Sequence, residues 1–401
     1  MHKVGILGAG AMGAGIAQVA ATAGWSVQLI DVDLDTATRA IEGVSARLKR
    51  SVDKGRINQE TATAIQKRLH ASTVSELSEC DLFIEAIVED MDIKVSAMLP
   101  VVEAIPNSSI IATNTSSLSV SELGQRLGQA HRTCGMHFFN PAPVMRLVEV
   151  VKGSRTNPEN VDRVADIALS WGKQVARCAD TPGFIVNRVA RPYYLEAFRC
   201  LEEGIDGPDA IDDVMKRLGG FRMGPFELTD FIGHDVNTAT TRTVWEQWNR
   251  PTRLTPSFAQ EQLVAEGTLG RKTGCGVYDW SGEAPVAVLG PAQECCTVNA
   301  SVVSAARLFA EGVGQSTAFT DRQSVALTRI LSAVINEASW ALHDGVADQA
   351  DIDIAMQAGV NYPHGPFAWA EHIGLDLVAE TLAVLNTTTD DGRFVTPPVS
   401  N

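Results

Sequence analysis

Along the first 180 residues, short β-type runs alternate with longer stretches of helical period, and glycine, proline or small polar residues mark the changes. Lys3 to Leu7 and Ser26 to Ile30 read as strands, with an alanine-rich helical segment between them that stops near Gly24. Thr36 to His70 has helical period and many charges, as one helix or as two broken at Lys54-Gly55-Arg56. Asp81 to Glu89 and Ser109 to Thr113 are continuous apolar runs of the buried-strand type, and both end in polar groups. Pro141 and Pro143 fit neither a helix interior nor a central strand. The run around them therefore reads as strand, turn, strand, Cys134 to Phe139 and then Leu147 to Val151. A last strand, Lys173 to Cys178, is followed by the breaker Pro182-Gly183. Alternation of this kind predicts an α/β domain over residues 1–180 on a doubly wound, mostly parallel sheet.

From Phe184 onward the period is helical only. Val189, Tyr193, Ala197 and Leu201 recur on one face, and further helical segments lead to a close at Lys272 to Trp280, so residues 181–281 read as an all-α domain. Residues 282–320 form a low-charge connection with room for an apolar helix from Ser301 to Ala310. The chain then repeats itself. A shift of 141 positions aligns Arg188 with Arg329, Glu196 with Glu337, Ile211-Asp212 with Ile352-Asp353 and Gly224-Pro225-Phe226 with Gly365-Pro366-Phe367, without a gap. Residues 321–401 are thus expected to be a second, degenerate copy of the helical domain, with Thr328 where the first has Asn187.

A length of 401 residues, 45% of them hydrophobic, fits two or three domains with sizeable cores. A net charge of −15 argues against nucleic acid and anionic membranes as partners. Arg47, Lys49, Arg50, Lys54 and Arg56 cluster nonetheless, as a solvated helix face or as a clamp for a phosphorylated ligand, with Lys54 the candidate substrate contact. The seven cysteines are odd in number, scattered and without a Cys-x-x-Cys, so neither disulfides nor a metal site is expected. With no cleavable leader pattern and no apolar run of roughly 18 residues, a cytoplasmic location is expected.

The candidate chemistry begins at Gly8-Ala9-Gly10-Ala11-Met12-Gly13, which lies between a strand and a helix as a dinucleotide-binding loop requires. The second strand ends in Asp31, 18 residues after Gly13. A carboxylate there accepts from a ribose diol and repels a 2′-phosphate, so NAD is expected and not NADP. Ligands of doubly wound sheets bind outside the carboxyl ends of the strands, which marks Glu89 and the cluster Asn114 to Ser117. Ser119 and Glu122 have the spacing of a helix capping box. Within the proline-punctuated turn, Glu149 can fold back on His137, and a carboxylate on one ring nitrogen leaves the other free to take a proton. Spacing alone fits a satisfied core histidine and a strand-edge charge as well.

These stretches, with Glu85 to Glu89, Asn114 to Leu118, His137 to Met145, Asp180 to Arg188 and Met223 to Leu228, occur in one order and spacing over residues 1–281, and in this the chain resembles the L-3-hydroxyacyl-CoA dehydrogenases. The resemblance implies that His137 is the general base with Glu149 as its partner, and that Ser116 and Asn187 hold the substrate oxygen. It also implies NAD contacts from Gly8, Gly10, Ala11, Met12, Gly13, Asp31, Glu89, Lys94, Ser116, Asn140 and Lys272. Arg222 departs from the proline more usual before Met-Gly-Pro. The two-copy arrangement is similar to bacterial enzymes that act on 3-hydroxyadipyl-CoA, with 3-hydroxybutyryl-CoA as the close alternative. A catalytically redundant structural member and a dehydrogenase of a non-CoA hydroxy acid are the competing readings. The resemblance further implies that single-copy members pair through their helical domains, so the second copy is expected to form an intramolecular pseudo-dimer with the first, which leaves further homodimerisation open.

Overall fold

A computed structural model describes residues 2–290, 298–314 and 319–398. It divides into two compact units, Met1–Phe184 and Ile185–Asn401.

The first unit runs β1 (Lys3–Leu7), α1 (Ala11–Thr22), β2 (Ser26–Ile30), α2 (Leu34–Asp53), α3 (Gln59–Gln66), β3 (Leu69–Ala71), β4 (Leu82–Glu85), α4 (Met91–Ala104), β5 (Ile110–Thr113), α5 (Val120–Arg126), β6 (Thr133–Phe138), β7 (Leu147–Lys152), α6 (Pro158–Ser170) and β8 (Gln174–Ala179). Its eight strands lie in the order β3-β2-β1-β4-β5-β6-β7-β8. Neighbours are parallel except β6 and β7, which the proline turn makes antiparallel. Helices α1, α2, α3 and α6 cover one face, where Val4, Ile6, Val27, Ile84 and Val150 are buried, and α4 and α5 cover the other over Leu7, Phe83 and Ile111. The segment expected to stay helical to His70 breaks earlier, because Leu69–Ala71 pairs with β2 at the sheet edge.

Ser119 does cap α5, accepting from the Glu122 amide at 3.1 Å, but the reciprocal half of the expected box is absent. Its place is taken by Asp180, whose carboxylate accepts from the Val120 and Ser121 amides and the Ser119 hydroxyl at 2.7–3.0 Å. A side chain some 60 positions away is not visible to a local pattern.

The second unit is helical: α7 (Val186–Val189), α8 (Arg191–Glu202), α9 (Pro208–Arg217), α10 (Pro225–Ile232), α11 (His234–Gln247) and α12 (Phe258–Glu266), then a small hairpin of β9 (Tyr278–Asp279) and β10 (Val286–Ala287), then α13 (Ala300–Val313), α14 (Asp321–His343), α15 (Gln349–Val360), α16 (Pro366–Ile373) and α17 (Leu375–Thr388). The connection carries the apolar helix for which Ser301 to Ala310 left room, as the 14-residue α13, which packs on α14, α16 and α17. Cys295 and Cys296 lie outside the described residues, while Cys80, Cys134, Cys178 and Cys200 are free and buried and Cys275 is free and half-buried.

The duplication reaches individual bonds. Asp212 accepts from the Phe226 and Glu227 amides at 3.0 and 2.9 Å, and Asp353 accepts from Phe367 and Ala368, both at 2.9 Å. Gly233 and Gly374 end the following helices at φ of 100° and 107°, which an L side chain rarely adopts. The copies also exchange contacts reciprocally where α7 and α8 meet α14. Arg188 donates to Glu337 and Asp344, both at 2.6 Å. Arg329 donates to Glu196 and Glu203, both at 2.7 Å. Each of these residues lies 141 positions from its counterpart, so every bond in one direction is matched by one in the other.

Candidate active site

The carboxyl ends of β2, β1, β4, β5 and β6 form one row, and most of the first unit's expected site residues lie along it. At β1, Gly8 takes φ of 107° and a Cβ there would come within 2.4 Å of the Ala86 carbonyl. A Cβ on Gly13 would strike the Gly8 carbonyl, so these two glycines are required by the turn and by helix packing. Gly10 differs: nothing lies within 4 Å of its Cβ position, and as the N-cap of α1 it offers no side-chain acceptor to the first amides. A phosphate fits that opening, with the helix N-terminus as donor. Ala11 is exposed and Met12 half-buried on the first turn. Asp31, half-buried after β2, accepts from the Ala9 amide at 2.5 Å and from Val32 at 2.7 Å, which holds its carboxylate against the glycine loop. The residues present therefore fit a dinucleotide.

Beyond β4 lies a network that sequence reasoning saw only in part. Glu85 is 0% exposed and accepts from Lys94 Nζ at 2.5 Å, the Thr113 hydroxyl at 2.6 Å and the Ile87 amide at 2.7 Å. Lys94, 1% exposed, also stands 3.2 Å from Glu89. Glu89 Oε1 in turn accepts from the Thr115 hydroxyl at 2.7 Å and from the Ser116 and Ser117 amides at 2.8 and 3.1 Å. Burial works to raise the Glu89 pKa, but the Thr115 hydroxyl, the Lys94 charge and the Ser116 amide outweigh it and hold the carboxyl below its usual range. Glu85 and Thr113 were not singled out from sequence. A charged residue ending an apolar strand was the available signal.

At β6 and β7 the register sets His137 directly opposite Glu149. His137 Nδ1 lies 2.6 Å from Glu149 Oε2, with the residues 6% and 0% exposed. Among the described residues, Nε2 of His137 bonds to none. Phe139 and Phe184 flank the imidazole with ring centroids at 4.5 and 5.8 Å. The turn between the strands holds the cis Asn140–Pro141 peptide, with Asn140 exposed. Buried Lys173 ties it down, donating to the carbonyls of Ala142 and Met145 at 2.6 and 2.8 Å. The Asn114 amide oxygen accepts from Phe138 N–H at 2.8 Å and so links the Ser116 loop to β6.

The remaining expected residues are carried by other elements. Lys54 follows α2 and is exposed, as are Lys49, Arg50 and Arg56, while Arg47 is half-buried and donates to Gln18 at 3.0 Å. Asn187 is carried by α7, in the second unit, and Lys272, in a turn of that unit, pairs with Asp235. Among the described residues no group of three or more His, Cys, Asp and Glu could hold a metal ion, and no helix is long and apolar enough to cross a membrane.

Comparison with known proteins adds independent findings. The family model for the NAD binding domain of 3-hydroxyacyl-CoA dehydrogenase matches residues 3–181, and the model for the C-terminal domain of the same enzyme matches both 183–280 and 326–401. A 3-hydroxyadipyl-CoA dehydrogenase of Escherichia coli K12 is 38% identical, over 98% of this chain and 95% of the relative. The crystal structure of an Escherichia coli 3-hydroxybutyryl-CoA dehydrogenase superposes with a TM-score of 0.89 at 36% identity, covering 99% of this chain and 97% of that one. An (S)-3-hydroxybutyryl-CoA dehydrogenase from Ralstonia eutropha has a TM-score of 0.68 at 36% identity, and all of it is covered by 70% of this chain.

Proposed function

Starting from the chain's membership of the NAD-dependent 3-hydroxyacyl-CoA dehydrogenase family, we propose that it oxidises an (S)-3-hydroxyacyl-CoA reversibly to the 3-ketoacyl-CoA, with His137 as general base and Glu149 as its partner. NAD, when bound, accepts the hydrogen that leaves carbon 3 with its electron pair. His137 takes the hydroxyl proton at Nε2, since Nδ1 is committed to Glu149. A neutral imidazole is competent to take that proton. Glu149 fixes the tautomer and stabilises the imidazolium that forms, in a setting dry enough for the charge to count. Ser116 is assigned to the carbon-3 oxygen, with Asn187 added by the resemblance. Glu89 holds the Ser116 backbone in place.

One observation carries this reading: a buried histidine and a buried carboxylate, 2.6 Å apart, sit on β6 and β7 of the same sheet whose β1 carries the dinucleotide loop. The names of the Escherichia coli relatives favour 3-hydroxyadipyl-CoA or 3-hydroxybutyryl-CoA as substrate. The reciprocal pairing of α7 and α8 with α14 supports the further reading that the second copy takes the place of a second subunit, and that the chain works with one catalytic site.

The test is NADH oxidation by the purified full chain with acetoacetyl-CoA and with 3-ketoadipyl-CoA. Turnover is expected with both, and the ratio of their kcat/KM values ranks the acyl chains. Binding of NADH without turnover of any 3-ketoacyl-CoA would overturn the proposal in favour of a structural role. Turnover of hydroxy acids lacking CoA would overturn it in favour of a different substrate class.

A further inference from the structure

We infer that Glu85, Lys94 and Glu89 set the local charge of the dinucleotide site so that it favours the oxidised over the reduced nicotinamide; this rests on the cofactor reading above. Glu85 is fully buried and, among the described residues, bonded only within the network, to Lys94, Thr113 and the Ile87 amide, so it reaches the site through Lys94. Replacing a buried ion pair by apolar side chains is often neutral or stabilising, so a Glu–Lys pair of 0% and 1% exposure is poorly explained by stability alone. Its placement offers a better reason.

Two carboxylates and one ammonium leave a net charge of −1, and Glu89, the most exposed of the three, turns that charge toward the strand ends. With the ribose at Asp31 and the pyrophosphate at Gly10, the cofactor must cross β4 and β5 to bring its reactive ring before His137 on β6. Strands lie about 4.8 Å apart, so the ring comes to rest roughly 5–10 Å from Glu89. The oxidised ring is a cation and the reduced ring is neutral, while the rest of the molecule is unchanged. A charge of −1 at about 8 Å, with an effective dielectric between roughly 20 and 40, separates the affinities of the two forms by about 5- to 30-fold. The His137–Glu149 pair adds to this preference independently, and changes at Glu85 leave it in place.

The experiment measures the dissociation constants of NAD+ and NADH by calorimetry on the full chain and on Glu85→Gln, Glu89→Gln and the double variant Glu85→Gln/Lys94→Met. Each single variant raises the local charge to zero and should increase Kd(NAD+)/Kd(NADH) by roughly 5- to 30-fold. The double variant removes one charge of each sign, and its ratio should return to that of the natural chain even where both affinities have weakened. A merely structural role predicts the reverse, with the double variant no better than Glu85→Gln. An unmoved ratio in Glu89→Gln, which leaves the buried pair intact and serves if Glu85→Gln does not fold, overturns the inference. So does a double variant shifted like the single one. Failure of the natural chain to bind either form would overturn the cofactor reading itself, whereas binding without turnover of any acyl-CoA would strike only the substrate reading.

Discussion

Replacing Arg329 by methionine tests whether the two helical copies are held together as their reciprocal contacts indicate. Arg329 is 3% exposed and is the closest cation to Glu196, itself 0% exposed, with a second bond to Glu203. After Arg329→Met, Glu196 keeps only Arg199 and Arg393, at 3.2 and 3.3 Å. Removing one partner of a buried pair costs about 3–5 kcal/mol, and the two remaining arginines place this case near the lower end, about 3 kcal/mol. In a unit of this size each kcal/mol moves Tm by about 2–4 °C, so a fall of about 6–12 °C is expected. The counterpart, Arg188→Met, leaves Glu337 with Arg253 at 2.6 Å and should cost less. Arg329→Met/Glu196→Met removes both charges and should recover most of the loss. Melting of the full chain by circular dichroism gives the overall shift, and amide exchange in α8 and α14 locates it, since two units need not unfold together. An Arg329→Met chain that melts within about 1 °C of the natural one, with α8 and α14 equally protected, would refute the argument.

Acid should loosen the same helices. Burial opposes the charge on Glu196, but Arg329, Arg393 and Arg199 outweigh it and hold the carboxyl below its ordinary 4.5, so its stabilising contribution is complete above that pH and is lost as pH falls through the lower native value. Exchange protection in α8 should therefore be level from pH 8 to about 5 and decline below about 4.5, and Glu196→Gln should already be weakened at pH 7; protection independent of pH across that range would contradict this. Asp31→Ser removes the carboxylate beside the glycine loop and should raise the KM for NAD while improving use of NADP, and an unchanged preference would mean that Asp31 does not face the ribose.

Much of the first unit was legible in the chain because its strands are continuous apolar runs punctuated by Gly and Pro. The opposition of His137 and Glu149 was legible for the same reason, since Pro141 and Pro143 force a turn between them. Strand β3 escaped because three edge residues after a long helical period carry too little pattern. Lys94 and Glu85 are nine positions apart on a helix and a strand, and no local period announces their bond. The 141-residue shift revealed the duplication, but a sequence repeat says nothing of which residues face each other, so the exchange between Arg188 and Glu337 and between Arg329 and Glu196 became visible only in three dimensions.

The most direct test of the central claim is kcat for NAD-dependent oxidation of (S)-3-hydroxybutyryl-CoA by His137→Gln, with the NAD dissociation constant measured on the same preparation. With His137 as the base, kcat should fall by roughly 10²–10⁴-fold while NAD affinity stays nearly unchanged, because the imidazole acts on the hydroxyl proton and not on the dinucleotide. A variant that retains the natural rate would contradict the assignment of His137 and Glu149 to the chemistry.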